Sequence, residues 1–156
     1  METITFPERA LRVRRAAARL CIGLGWAPLH EVPLPDGRRA DILALRPDGG
    51  FAILEIKSGL RDFLVDAKWP AYRAYCDALY FAVDADFPQE ILPEETGLVV
   101  VAEGEAALLR EAPLHPLAAA RRRSLTHRFA QLAGLRLAAA EDPAGFAELR
   151  AALRAE

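Results

Sequence analysis

Cysteine is scarce in this sequence: Cys21 and Cys76 are the only two among 156 residues. Two thiols make neither a zinc ligand set nor a disulfide framework, which excludes a metal-stapled or disulfide-stapled scaffold. Both stand in apolar surroundings, so buried free thiols and a reducing compartment, the cytoplasm, are expected. Long apolar runs are also missing. No stretch approaches the 18 or more uncharged apolar residues that a spanning helix needs, and no membrane partner is expected. The opening METITFPERALRVRR has no apolar h-region, so it is not expected to act as a signal peptide. The three histidines, His30, His115 and His127, lack ligand spacing and read as structural or solvated. Gly49-Gly50 reads as a turn and not as a phosphate loop, because no helix follows it.

What is present describes a soluble globular chain. A hydrophobic share of 53% and a charged share of 27% fit one ordinary domain over residues 1–156. The net charge of −2 is uninformative, but its distribution is not. Arg9, Arg12, Arg14, Arg15 and Arg19 fall in an acid-free segment, and so do Arg121, Arg122, Arg123, Arg128 and Arg136. Residues 84–111 are acidic, with Arg110 as their lone base. Such runs are solvated helix faces or polyanion contacts.

Residues 7–23 read as a helix with Pro7 in its first turn and Gly23 or Gly25 at its end. Three extended runs follow, APLHEVPLP, RRADILALR and GFAILEIKS, separated by PDG (35–37) and PDGG (47–50). Glycine supplies positive φ and proline presets the bend, so these are turns and the three runs form an antiparallel meander. A helical stretch comes next, with Asp62 as a cap and Pro70 marking a kink or a fresh start. DALYFAV and GLVVVAE read as buried strands. AALLREAP is left as strand or short helix, and helices over about 116–138 and from Pro143 close the chain. The order αβββαββα is that of an α/β sandwich: a mixed central sheet containing an antiparallel meander, flanked by helices.

The meander puts charge where it needs a reason. If the second turn is symmetric about Asp48, Asp41 faces Glu55, Arg39 faces Lys57 and Leu43 faces Ile53, all on one side of the hairpin. The other side carries Ala40, Ile42, Ala44, Ala52, Leu54 and Ile56, an apolar face that a helix must cover. A three-residue first turn would add Glu31 to the acidic row, although a one-residue slip would send it to the opposite face. Carboxylates on neighbouring strands repel unless something lies between them. One resolution is a divalent cation, with magnesium or manganese held by Asp41, Glu55 and Glu31. The other is a surface ion-pair cluster in which Arg39 and Lys57 neutralise the acids. Lys57 lies two residues beyond Glu55 and points the same way. There it can orient an attacking water or stabilise charge on phosphate oxygens.

The stretch RRADILALRPDGGFAILEIKSG resembles the motif pair of the PD-(D/E)XK nuclease superfamily: an Asp, a short hairpin, then Glu-x-Lys. Its surroundings sharpen the likeness. HEVPLPDGRRADILAL, EIKSGLRDFLVDAKWPAYRAYCDALYFAV, FPQEILPEETGLVVV and SLTHRFAQLAGLRL together resemble the MmcB-like bacterial DNA-repair proteins. That resemblance implies a restriction-endonuclease-like fold and a metal-dependent DNA endonuclease acting in repair. Asp41 and Glu55 would be its metal ligands and Lys57 its catalytic lysine. The expected partner is DNA, damaged or branched; a homodimer and a larger repair protein are left open. Asp62, Asp66, Lys68, Trp69 and Tyr72 match the family pattern as well. Among them Trp69 and Tyr72 read as packing and Lys68 as a phosphate contact. Arg39 and Arg121–Arg123 are further backbone contacts. Either Glu31 or Glu8 would complete the acidic set. Trp26 reads as packing, with base stacking as its alternative. Two rival readings stand: a nuclease-fold protein that binds DNA structures with little catalysis, and a scaffold unrelated to nucleic acid.

Overall fold

A computed structural model describes residues 6–66 and 68–154, and the chain divides into two compact units, Met1–Ala118 and Ala119–Glu156. The first unit is a six-stranded sheet in the order β1-β2-β3-β4-β5-β6. Its strands are β1 (Ala27–Pro33), β2 (Arg39–Leu45), β3 (Phe51–Lys57), β4 (Ala78–Asp84), β5 (Gly97–Ala102) and β6 (Glu105–Arg110). The β3–β4 and β4–β5 pairs are parallel and the others antiparallel, giving the expected mixed sheet with its meander. The undecided AALLREAP run is strand β6, and its exposure alternates as a half-buried edge requires.

Helix α1 (Phe6–Gly23) lies on the face that the sequence leaves apolar. Val13, Ala16, Ala17 and Cys21 pack against Ile42, Ala44, Ala52, Leu54 and Ile56. The alanines let the helix approach the sheet closely, which gives the sequence's surplus of alanine a structural use. On the other face, Phe63 and Trp69 pack against Phe81, Val83, Leu98 and Val100. Phe63 comes from the short helix α2 (Leu60–Val65), and Trp69 opens a 3-10 helix, Trp69–Tyr75, with Pro70 in its first turn. The proline therefore marks a fresh helical start. Trp69 meets Phe81 edge-on at 5.8 Å, and Trp26 sits 5.7 Å from Tyr80 beneath the Arg46 guanidinium, so both tryptophans are packing residues.

Turn geometry sets the register. Gly49 has φ +85 and donates to the Arg46 carbonyl, while Arg46 N–H donates to Gly50. Pairing then runs from Leu45↔Phe51 to Ile42↔Leu54, the symmetry about Asp48 that the sequence predicts. At this turn end of β3, Asp77 accepts from Phe51 N–H at 2.7 Å and from Leu117 N–H at 2.9 Å. This carboxylate is structural.

The second unit holds α3 (Ala119–Glu141) and α4 (Pro143–Arg154). Between them Asp142 accepts from Phe146 and Gly145 N–H groups, the first through its carbonyl and the second through its side chain. Arg121 and Arg123 are exposed and Arg122 is half-buried. No helix among the described residues is long and apolar enough to cross a membrane. Both cysteines are free and buried, and burial pushes the Cys21 thiol up to about 11 and Cys76 to about 12.

Candidate active site

Strands β2 and β3 stop pairing through their backbones just beyond Ile42↔Leu54, and side chains take over. Asp41 N–H donates to Glu55 Oε1 at 3.1 Å, and Ile56 N–H donates to Asp41 Oδ2 at 2.8 Å. Each carboxylate satisfies a backbone donor on the other strand. Two acids are thereby fixed side by side where the hairpin opens.

Their surroundings penalise charge. Glu55 is 3% exposed and Asp41 half-buried, and neither has an ion-pair partner among the described residues. Burial, followed by the adjacent Asp41 charge, pushes the Glu55 carboxyl from 4.5 up to about 9. Burial raises Asp41 as well, outweighing the Ile56 hydrogen bond. The ion-pair alternative is therefore not what the fold builds. Arg39 reaches Glu31 instead, at 3.9 Å, and Lys57 Nζ reaches Asp66 Oδ2 at 2.7 Å and Asp62 Oδ1 at 3.9 Å. Burial alone would lower the Lys57 ammonium, but the Asp66 hydrogen bond and the charges of Asp62 and Asp66 outweigh it and raise it above 10.5. Lys57 is a permanent cation here.

These groups line one cavity of about 760 Å³. Its walls carry five carboxylates (Glu31, Asp41, Glu55, Asp62 and Asp66) against two cations, Arg14 and Lys57. Helix α1 contributes Pro7, Ala10, Leu11 and Arg14, the i, i+3, i+4, i+7 row of one helical face. Tyr72 closes another side, donating to the Arg39 carbonyl at 3.3 Å; burial and then the Glu55 and Asp41 charges drive its phenol upward.

Glu31 sits opposite Asp41, since His30↔Ile42 and Val32↔Ala40 bracket it. It is kinked out of the ladder at φ +48, and its carboxylate meets Arg14 Nη1 at 3.2 Å. No group of three or more His, Cys, Asp or Glu side chains able to hold a metal ion forms among the described residues. The expected three-acid set Glu31, Asp41 and Glu55 is thus not gathered, because Arg14 and Arg39 engage Glu31. What is gathered is a two-acid set. Two neighbouring carboxylates with no ion-pair partner among the described residues, facing a cavity, still fit magnesium, which takes one or two protein carboxylates and keeps its remaining positions for water and phosphate. Glu8 is exposed and does not line the cavity.

Asp62 is not a cap: Gly59 holds that position, and Asp62 lies in the first turn of α2, turned toward Lys57. Arg14 and the tie between Lys57 and Asp66 escape the sequence reading. The helical spacing 7, 10, 11, 14 is the signal that finds Arg14. Lys68 is exposed, its N–H bound to Asp66 Oδ1 at 3.2 Å, and Arg39 is exposed near the cavity. Arg121, Arg122 and Arg123 belong to the second unit.

The model of one protein family, described as DNA repair protein MmcB-like, matches residues 2–144. The chain belongs to the MmcB-like family. That match takes in the whole sheet, the cavity and α3, and leaves out nearly all of α4. A solved structure, SPO1766 protein of unknown function from Silicibacter pomeroyi, is 40% identical and superposes with a TM-score of 0.83, covering 88% of this chain and 94% of that one. No curated protein matches. Membership of the MmcB-like family associates the chain with DNA repair, while the solved structure adds the α/β fold and no activity.

Proposed function

We propose that this MmcB-like protein is a magnesium- or manganese-dependent endodeoxyribonuclease of the PD-(D/E)XK kind, hydrolysing phosphodiester bonds in damaged or branched DNA. The observation that carries this reading is the Asp41–Glu55 pair, which has no ion-pair partner among the described residues and faces a cavity shared with Lys57. Asp41 and Glu55 would hold the divalent ion; when bound, such an ion polarises the scissile phosphate and acidifies a coordinated water. Lys57, held above its ordinary ammonium value, acts as a donor that stabilises charge on the phosphate oxygens or orients the attacking water, and not as a base. Tyr72 retains its proton at neutral pH and offers a neutral wall. The excess of carboxylates over cations would repel a bare phosphate, so the site requires a cation before it accepts a nucleic-acid backbone. Free buried thiols and a DNA substrate both suit a cytoplasmic setting.

The test is cleavage of nicked, branched and damaged duplexes with magnesium or manganese. Wild type is expected to cut, while Asp41→Asn, Glu55→Gln and Lys57→Ala lose at least two orders of magnitude. A folded wild-type chain inert on every DNA form with both metals would sink the proposal. The competing reading, DNA binding with little catalysis, has one observation in its favour: Lys57 is occupied by Asp66 at 2.7 Å. Binding in calcium without cutting in magnesium would select it.

A further inference from the structure

On the opposite flank of α1 from Arg14 lies a second cleft of about 550 Å³, lined from the helix by Arg9, Arg12, Arg15 and Arg19. These four arginines are exposed and follow one another at intervals of three or four residues, so they form one stripe along the helix. Ten residues at 1.5 Å each make the stripe about 15 Å long. Two members are anchored: Arg9 Nε lies 3.6 Å from Asp84 Oδ2, and Arg19 Nη2 donates to the Gly104 carbonyl at 2.9 Å. Arg12 and Arg15, between them, make no ion pair or hydrogen bond among the described residues. Like charges at this spacing repel, and residues 9–19 contain no acid; Glu8, four residues before Arg12, and the Asp84, Asp86 and Glu103 side of the cleft offset only part of that charge.

We propose that the Arg9–Arg19 stripe of α1 is a phosphate-contact surface for duplex DNA, with Arg12 and Arg15 as its free cations and Arg9 and Arg19 as its fixed ends. Phosphates of one strand advance about 3.4 Å along the duplex axis, so a 15 Å stripe spans about four of them. The same helix forms a wall of the Asp41–Glu55 cavity, which places a backbone crossing α1 next to the acidic site. The surface needs no metal. Arginine's planar fork matches phosphate geometry, and the cavity alone offers a polyanion little attraction. The proposal rests on the DNA partnership of the proposed function, and not on catalysis.

The test is fluorescence anisotropy of a labelled duplex with wild-type protein in EDTA, over about 50 to 200 mM salt. Each phosphate contact contributes about 0.9 to the log–log slope, so Arg12→Gln/Arg15→Gln is expected to flatten the slope by about 1.8. Over that fourfold salt range the wild type then loses about twelvefold more affinity than the double variant. Arg12→Lys/Arg15→Lys should restore most of the slope. Both pairs are exposed, so unchanged melting curves are expected to verify folding. An unchanged slope in the folded glutamine variant would overturn the proposal, as would a wild type that binds no duplex. A chain that binds with the wild-type slope but never cuts removes the nuclease reading and leaves the stripe standing. A chain that cuts while the glutamine variant keeps its slope does the reverse.

Discussion

Replacing Glu55 by Gln should stabilise the metal-free protein while removing its activity. Glu55 titrates at 4.5 when unfolded and at about 9 in the fold. Between those values the folded chain binds the proton and the unfolded chain does not, so stability falls as pH rises. The slope is about 1.4 kcal/mol per pH unit for one proton, and Asp41, also raised, acts in the same direction. At pH 7, 2.5 units above the unfolded value, the carboxyl costs up to about 3 kcal/mol. Glutamine removes that cost. Its carbonyl still accepts from Asp41 N–H, and its amide can donate to the Asp41 carboxylate.

Thermal melts in EDTA should therefore place Glu55→Gln above wild type by roughly 5–10 °C at pH 7, at about 3 °C per kcal/mol. The gap should widen toward pH 8.5 and close near pH 5. Adding magnesium should reverse the order, because the ion stabilises only the chain that binds it. A wild type whose stability is flat between pH 6 and 8.5, or a variant that melts lower in EDTA at pH 7, would refute the reasoning.

Cation affinity should rise with pH, since the ion competes with the proton on Glu55. Isothermal titration with manganese should show up to about tenfold tightening per pH unit from 6 to 8, levelling near 9, with about one proton released per ion. Lys57→Met, which keeps the aliphatic stem and deletes the ammonium, should lower single-turnover cleavage at least about a hundredfold while leaving DNA affinity in calcium within a few-fold. Gly97→Ala should cost about 1–3 kcal/mol in urea unfolding, because the added Cβ would lie 2.1 Å from the Tyr80 ring. That ring cannot swing aside cheaply: its hydroxyl accepts from Arg46 and donates to Glu111, each at 2.9 Å.

The hairpin was legible because local rules govern it. PDGG demands a turn, the turn sets the register, and period-two alternation then puts Asp41, Glu55 and Lys57 on one face and the α1-covered apolar row on the other. Residues arriving by longer connections were not legible. Asp62 and Asp66 reach Lys57 only because the crossover between β3 and β4 folds α2 back over the end of β3, and no periodicity within 60–66 encodes that docking. Arg14 lines the cavity through the docking of α1 on the sheet, and its guanidinium pairs with Glu31. The proposed metal site, expected to draw on three acids, would therefore rest on Asp41 and Glu55.

That subtraction separates two tasks that the sequence merged. The cavity, with five carboxylates and two cations, would attract cations and repel phosphate, whereas the free arginines of α1 lie on the far flank of the same helix. Affinity for DNA and chemistry on it should then respond to different solution variables. Raising salt from about 50 to 200 mM screens exposed phosphate contacts and should raise KM steeply. The turnover at saturating DNA should barely change, because Lys57 and Glu55 are buried and screened little by solvent ions. Limiting the divalent cation should lower kcat and leave EDTA-condition binding intact. Steady-state kinetics over a grid of salt and magnesium separates the two. A salt effect that falls on kcat, or DNA binding that vanishes in EDTA, would mean that one site performs both tasks and that this division of labour along α1 is wrong.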